Sequence, residues 1–315
     1  MANDNGSTLT AKGATAFVAL GACGFGAISI FVAIATNAGA PLLDVLFWRY
    51  MIAALVLLLV LLRTGGRPDR RGFRVMMTAG LVQSLIAVLS LSALKYISAA
   101  TLAFLFYTYP AFVAVLARVR HSEPLTPARL AALAVSLAGI FLMIGAPGGA
   151  SLHPMGVALA LISAVMYALY IPMIGGMQRE LTPIVTALYM TAGAAVLLGF
   201  AGLARGELIF AMPMAAWSTV LALALLSTAG AFVVFLRGLN VLGPVRTAIV
   251  STVEPFFTAI LGALFLNQPM TGSVLAGGAM IAAAVVLLQR GSTADPARQT
   301  QDDRPKTQDP RRGSD

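Results

Sequence analysis

TLAFLFYTYPAFVAVL (residues 101–116) reads over RTAIVSTVEPFFTAIL (residues 246–261) at a constant offset of 145, with no gap. Ala103 lies on Ala248, Pro110 on Pro255, Phe112 on Phe257, Ala114 on Ala259 and Leu116 on Leu261. The register extends from Ala93–Met143 over Gly238–Leu288. It carries Glu123-Pro124-Leu125-Thr126 onto Gln268-Pro269-Met270-Thr271. Alanine matches are cheap in an apolar chain, whereas two prolines in register with a Pro-x-Thr turn are not. Periodic self-similarity of this length marks a duplicated unit.

Of the 315 residues, 59% are hydrophobic and 10% charged, against about 25% charged in a soluble domain. The apolar residues fall in runs near 20 residues, the length that crosses a ~30 Å hydrocarbon layer. Ten such spans are expected, at 13–36, 40–62, 75–94, 98–117, 127–145, 154–175, 183–204, 214–236, 245–265 and 270–289. Pro41, Pro127, Pro154, Pro183 and Pro269 stand at span entries, where a missing N–H costs nothing. The expected fold is an all-α integral membrane protein with ten transmembrane helices in two inverted five-helix repeats. Residues 13–146 and 154–290 form the repeats, after a cytoplasmic N-terminus (1–12) and before a disordered cytoplasmic tail (291–315). An odd number of spans inserts the second half upside down, the layout that supports alternating access.

The net charge of +9 does not point to nucleic acid, because the basic residues lie between spans and do not interleave with aromatics. With the N-terminus inside, eleven fall in inner connections, among them Arg63, Arg67, Arg70, Arg74, Arg237 and Arg246. Outer connections hold Lys95 and Arg205. This bias sets both termini in the cytoplasm and the chain in the inner membrane. Lys12 precedes a run too long for a signal-peptide core, so that run is read as a span. The one cysteine, Cys23, forms no internal disulfide. His121 and His153 fall at span boundaries, so no cofactor or metal is expected. A phosphate-cradling loop is also lacking, which argues against ATP drive.

Glu254 is the sharpest candidate site residue, because an acid at mid-span costs about 2.5–3.5 kcal/mol on insertion scales and must face protein or water. Thr247, Ser251 and Glu254 follow helical spacing and so share a face. Their counterparts are Leu102, Phe106 and Tyr109, which would set aromatic groups opposite polar ones. Tyr109 is the preferred cavity residue among the crowded aromatics of that span, and Phe104 and Tyr107 are read as packing. Gln83 aligns with Thr228, both polar near span centres, and Tyr167 and Tyr170 can line one wall. A structural role competes with each assignment: a buried Gln can glue helices together, and Glu254 can serve the bend at Pro255. Pro110 and Pro255 are hinge candidates, and Arg49 is read as a link to a neighbouring helix or a carboxylate site. Asp44 falls near a boundary and is expected to be wet.

Val253-Glu254-Pro255-Phe256-Phe257-Thr258-Ala259-Ile260-Leu261-Gly262, followed by Asn267-Gln268-Pro269 and Gly277-Gly278, resembles the Glu-Pro signature of the EamA family. Tyr109-Pro110 through Ser122-Glu123-Pro124 to Gly139 resembles the same module, and Phe47-Trp48-Arg49 resembles its second span. The resemblance covers about residues 13–290 and implies the drug/metabolite transporter superfamily: ten helices, a central cavity and export of small metabolites. The chain departs from the family pattern where the second turn reads Asn267-Gln268, without an acid. It departs again where Gly24-Phe25-Gly26 stands in place of a tryptophan.

The favoured function is secondary export of amino acids, including aromatic ones, or similar metabolites. Alternatives are proton-coupled export of cationic apolar drugs and a non-transporting scaffold or enzyme, the last lacking a catalytic constellation. The bilayer is the remaining partner, and oligomeric state is not legible.

Overall fold

Apolar runs of membrane length become helices, since only intrahelical bonding satisfies the backbone in hydrocarbon. The computed structural model describes residues 9–66, 72–93, 95–97, 99–120, 122, 125–144, 153–206, 212–266 and 270–293. Every regular element among the described residues is helical: α1 (Ala11–Asn37), α2 (Leu42–Arg63), α3 (Gly72–Ala93), α4 (Ala99–Phe106), α5 (Tyr109–Val119), α6 (Pro127–Ile144) and α7 (Pro154–Met177). They continue with α8 (Pro183–Arg205), α9 (Met214–Ala224), a π turn (Leu225–Gly230), α10 (Ala231–Leu242), α11 (Pro244–Val250), α12 (Val253–Leu266) and α13 (Gly272–Thr293). Glu123, Pro124, His121, the breaker segment at 145–149, Arg67, Arg70 and Arg71, the turn at 267–269 and the tail beyond 293 lie outside the described residues.

These elements make ten rods, because α4 with α5, α9 with α10, and α11 with α12 each continue one span. Six stretches are long and apolar enough to cross a membrane: Ala11–Asn37, Leu42–Arg63, Pro154–Met177, Pro183–Ala204, Met214–Leu242 and Pro244–Leu266. The fold is an all-α membrane bundle of two five-rod halves.

Helix pairing repeats the duplication. Helix α1 packs on α9 and α10 as α7 packs on α3, and α12 packs on α1 as α4 and α5 pack on α7. The pairs α2–α8 and α6–α13 each join equivalent rods of the two halves. Small residues permit these approaches. A Cβ on Gly277 would fall 2.4 Å from the Gly139 carbonyl oxygen, and one on Gly80 would fall 2.4 Å from the Gly193 backbone. Gly243, at φ +77°, turns the chain from α10 into α11 ahead of Pro244.

Two spans expected to be continuous are broken. The first breaks at Tyr107–Thr108 and the second at Ser251–Thr252, one residue apart in the repeat register. Pro110 and Pro255 follow the breaks, where their missing N–H groups are tolerated. Each break is closed by a threonine hydroxyl donating to a carbonyl three residues back: Thr108 to Leu105 at 2.6 Å and Thr252 to Ile249 at 2.7 Å. The break interrupts the single helix face expected to carry Thr247, Ser251 and Glu254.

Two charges also sit elsewhere than expected. Asp44 is fully enclosed in the first turn of α2 rather than wet, where the helix dipole favours an anion. Arg246 is a residue of α11 with 6% exposure, packed into the bundle rather than lying in a connection.

Candidate functional site

Glu254 follows the second break, in the first turn of α12. Its side chain is half-buried. The Tyr107 hydroxyl, from the first break, donates a hydrogen bond to it. Cys23 of α1, Tyr109 of α5 and Tyr167 of α7 are its other electrostatic neighbours. Helix α1 comes close here because residue 26 is glycine: a Cβ at Gly26 would lie 2.8 Å from the Glu254 carbonyl oxygen. The Thr258 hydroxyl lies 2.9 Å from the Gly26 carbonyl and 3.0 Å from that of Glu254, tying α12 to α1.

The aromatics form a continuous cluster. Tyr109 and Tyr167 meet edge to face at 4.8 Å between centroids, Phe106 lies 5.3 Å from Tyr167, and Tyr167 lies 6.4 Å from Tyr170. Tyr109 and Tyr170 are each 1% exposed. The Tyr170 hydroxyl has no hydrogen-bond partner among the described residues, whereas the Tyr109 hydroxyl has Ser251 as its hydrogen-bonding neighbour. A buried hydroxyl left unpaired costs about 1–3 kcal/mol. Ser251, expected beside Glu254, donates its hydroxyl to the Thr247 carbonyl at 2.8 Å and so serves the break. The sequence reading assigns Phe25 no role, and it packs on Phe232 and Phe235 at 5.2 and 5.3 Å.

The aligned pair Gln83 and Thr228 reach adjacent residues of α2. Gln83 Nε2 donates to the Tyr50 hydroxyl at 3.2 Å, and Arg49 Nε donates to Thr228 Oγ1 at 2.9 Å. Thr228 lies in the π turn and passes its own proton to the Leu223 carbonyl at 2.9 Å. Thr228 is therefore engaged on both sides. The Arg49 guanidinium carbon stands 4.6 Å from the Tyr50 ring centroid, a cation–π distance. Tyr50 neighbours both Tyr167 and Tyr170 electrostatically. A path of polar and aromatic groups thus runs from Glu254 through the tyrosines to Arg49.

Sequence reasoning reads Tyr107 as packing and passes over Tyr50. The available signal for Tyr107 is its place three residues before Pro110, where the helix breaks. Tyr50 gives no such signal, being one more aromatic in an apolar helix. Among the described residues, no group of three or more His, Cys, Asp or Glu could hold a metal ion.

The EamA-like transporter family matches residues 13–145 and again 154–290. A relative from Archaeoglobus fulgidus, named an uncharacterized transporter, is 27% identical over 275 residues, covering 87% of this chain and 96% of its own. The uncharacterized transporter YcbK of Bacillus subtilis is 26% identical over 270 residues, covering 82% and 86%. A crystal structure of a protein 21% identical shares the fold, with a TM-score of 0.69 over 84% of this chain and 94% of that one. With two family matches that fall on the two halves of the bundle, the chain belongs to the EamA-like transporter family.

Proposed function

We propose that this transporter exports small amine-bearing metabolites, amino acids including aromatic ones foremost, by alternating access around the cavity at Glu254. The carrying observation is one half-buried carboxylate within a membrane span, beside Tyr107, Tyr109 and Tyr167. A carboxylate attracts an ammonium, and the tyrosine and Phe106 rings suit an apolar or aromatic side chain. Arg49, at the far end of the tyrosine path, is the cation available to a substrate carboxylate. The breaks at Tyr107–Thr108 and Ser251–Thr252 are the hinges about which the two halves would rock, with Pro110 and Pro255 holding them open. Both termini face the cytoplasm and the bilayer is the inner membrane in this reading. No catalytic role is assigned.

The same carboxylate and rings favour a second reading, export of organic cations, because aromatic faces attract desolvated cations. Uptake into proteoliposomes separates the two. A panel of labelled amino acids and tetraphenylphosphonium is offered with and without a pH gradient. Saturable flux of an aromatic amino acid is expected. Flux of tetraphenylphosphonium alone replaces the first reading with the second, and no flux of either removes both.

A further inference from the structure

Helices α1 and α10 run side by side, and small residues let them touch. A Cβ on Gly21 would lie 2.7 Å from the Phe235 Cβ, and one on Gly238 would lie 2.7 Å from the Ala14 carbonyl oxygen. At the end where α1 begins and α10 stops, the pair carries two basic residues, Lys12 and Arg237, both exposed. Lys12 is the second residue of α1. Arg237 lies five residues before the end of α10, about 7 Å into the span. A guanidinium at that depth on an outer flank must reach water or an anion. No acidic residue stands on either helix.

Away from that end the same two helices border an apolar groove of about 570 Å³, shared with α12. Leu20, Gly230, Val234 and Phe257 stand in its wall. The basic residues lie on the flanks that lead into it. On α1, Lys12, Ala16 and Leu20 are exposed at four-residue spacing, and on α10, Arg237 follows Val234 by three residues and Gly230 by seven. Each set therefore shares a helix flank. One leaflet is about 15 Å deep, or about ten helical residues, so an acyl chain anchored at Lys12 passes Ala16 and reaches the groove at Leu20. The occupant must be apolar along its length and anionic at one end. A guanidinium pairs bidentately with a phosphate, whereas a zwitterionic headgroup would bring its ammonium to helices without acids. We propose that the seam of α1 and α10 is a binding site for an anionic phospholipid, with its phosphate on Arg237 and Lys12 and an acyl chain in the groove. This site is separate from Glu254 and stands whatever solute is transported.

The test takes the full-length protein from liposomes of equal phosphatidylglycerol and phosphatidylcholine content and counts bound lipid by native mass spectrometry. Phosphatidylglycerol should be retained over phosphatidylcholine by about 25-fold, at about fivefold for each basic residue. Lys12→Gln and Arg237→Gln should each cut that preference about fivefold. Arg118→Gln with Arg120→Gln removes two exposed charges at the end of α5 and should leave it unchanged. Val234→Trp should fill the groove and weaken retention of phosphatidylglycerol several-fold. Glycerol phosphate, the headgroup without chains, should not displace the lipid. Equal retention of the two lipids overturns the proposal. So does an equal loss in the Arg118 and Arg120 variant, which would report surface charge alone. Displacement by glycerol phosphate also overturns it, making the pair a site for free phosphate esters. If Arg237→Gln does not accumulate, Lys12→Gln, in the exposed first turn of α1, carries the test.

Discussion

The Tyr107 hydroxyl and the Glu254 carboxylate meet across the two halves of the repeat. Under the offset of 145, Tyr107 corresponds to Thr252 and Tyr109 to Glu254. The bond therefore joins non-equivalent positions: one half contributes the acid and the other the donor. Duplication supplied two matching breaks, and divergence made one side of the cavity acidic and the other aromatic.

Removing either partner should affect transport differently. Glu254→Gln keeps the shape and the hydrogen bond to Tyr107 but loses the attraction for an ammonium. Saturable amine flux in proteoliposomes should fall about ten- to 150-fold, since a hydrogen bond to a charged group contributes roughly 1.5–3 kcal/mol. Tyr107→Phe keeps the charge and should lower flux by a smaller factor, about tenfold.

Tyr109→Phe and Tyr170→Phe should separate folding from binding. Tyr170→Phe removes a buried hydroxyl that has no partner among the described residues, and Tyr109→Phe removes one that neighbours the Ser251 hydroxyl. Thermal unfolding in detergent should show unchanged or raised stability for Tyr170→Phe, by up to about 1 kcal/mol, and a loss of about 0.5–1.5 kcal/mol for Tyr109→Phe. Substrate KM should rise for whichever hydroxyl bonds the solute.

The Arg49–Thr228 hydrogen bond is buried, with Arg49 at 5% exposure and Thr228 at 0%. Thr228→Val should destabilise by about 1–3 kcal/mol, because a guanidinium nitrogen loses its acceptor. A double-mutant cycle with Arg49→Met, read by thermal unfolding, should give a coupling of about 0.5–3 kcal/mol.

Gly80 and Gly176 should respond oppositely to alanine. A Cβ at Gly80 meets the Gly193 backbone at 2.4 Å, whereas nothing lies within 4 Å of one at Gly176. Gly80→Ala should separate α3 from α8 and cost about 1–3 kcal/mol. Gly176→Ala should stabilise by about 0.4–1 kcal/mol, by restricting the unfolded chain. Melting temperatures of the two variants check this.

Hydropathy and the 145-residue register were enough for ten rods in two halves, because span length and duplication are properties of the linear chain. Glu254 was legible for the same reason, an acid deep in an apolar run having few places to go. The π turn, the hydrogen bonds made by Ser251 and Thr228, the burial of Asp44 and the part played by Tyr107 were not legible. Each depends on which side chains meet across distant segments: Arg49 and Thr228 are 179 residues apart, and Tyr107 and Glu254 belong to different repeats. Periodicity says which face of a helix is apolar. Only packing decides which polar group on another rod stands opposite, and so which hydroxyl closes a break, which holds a charge and which is left for a solute.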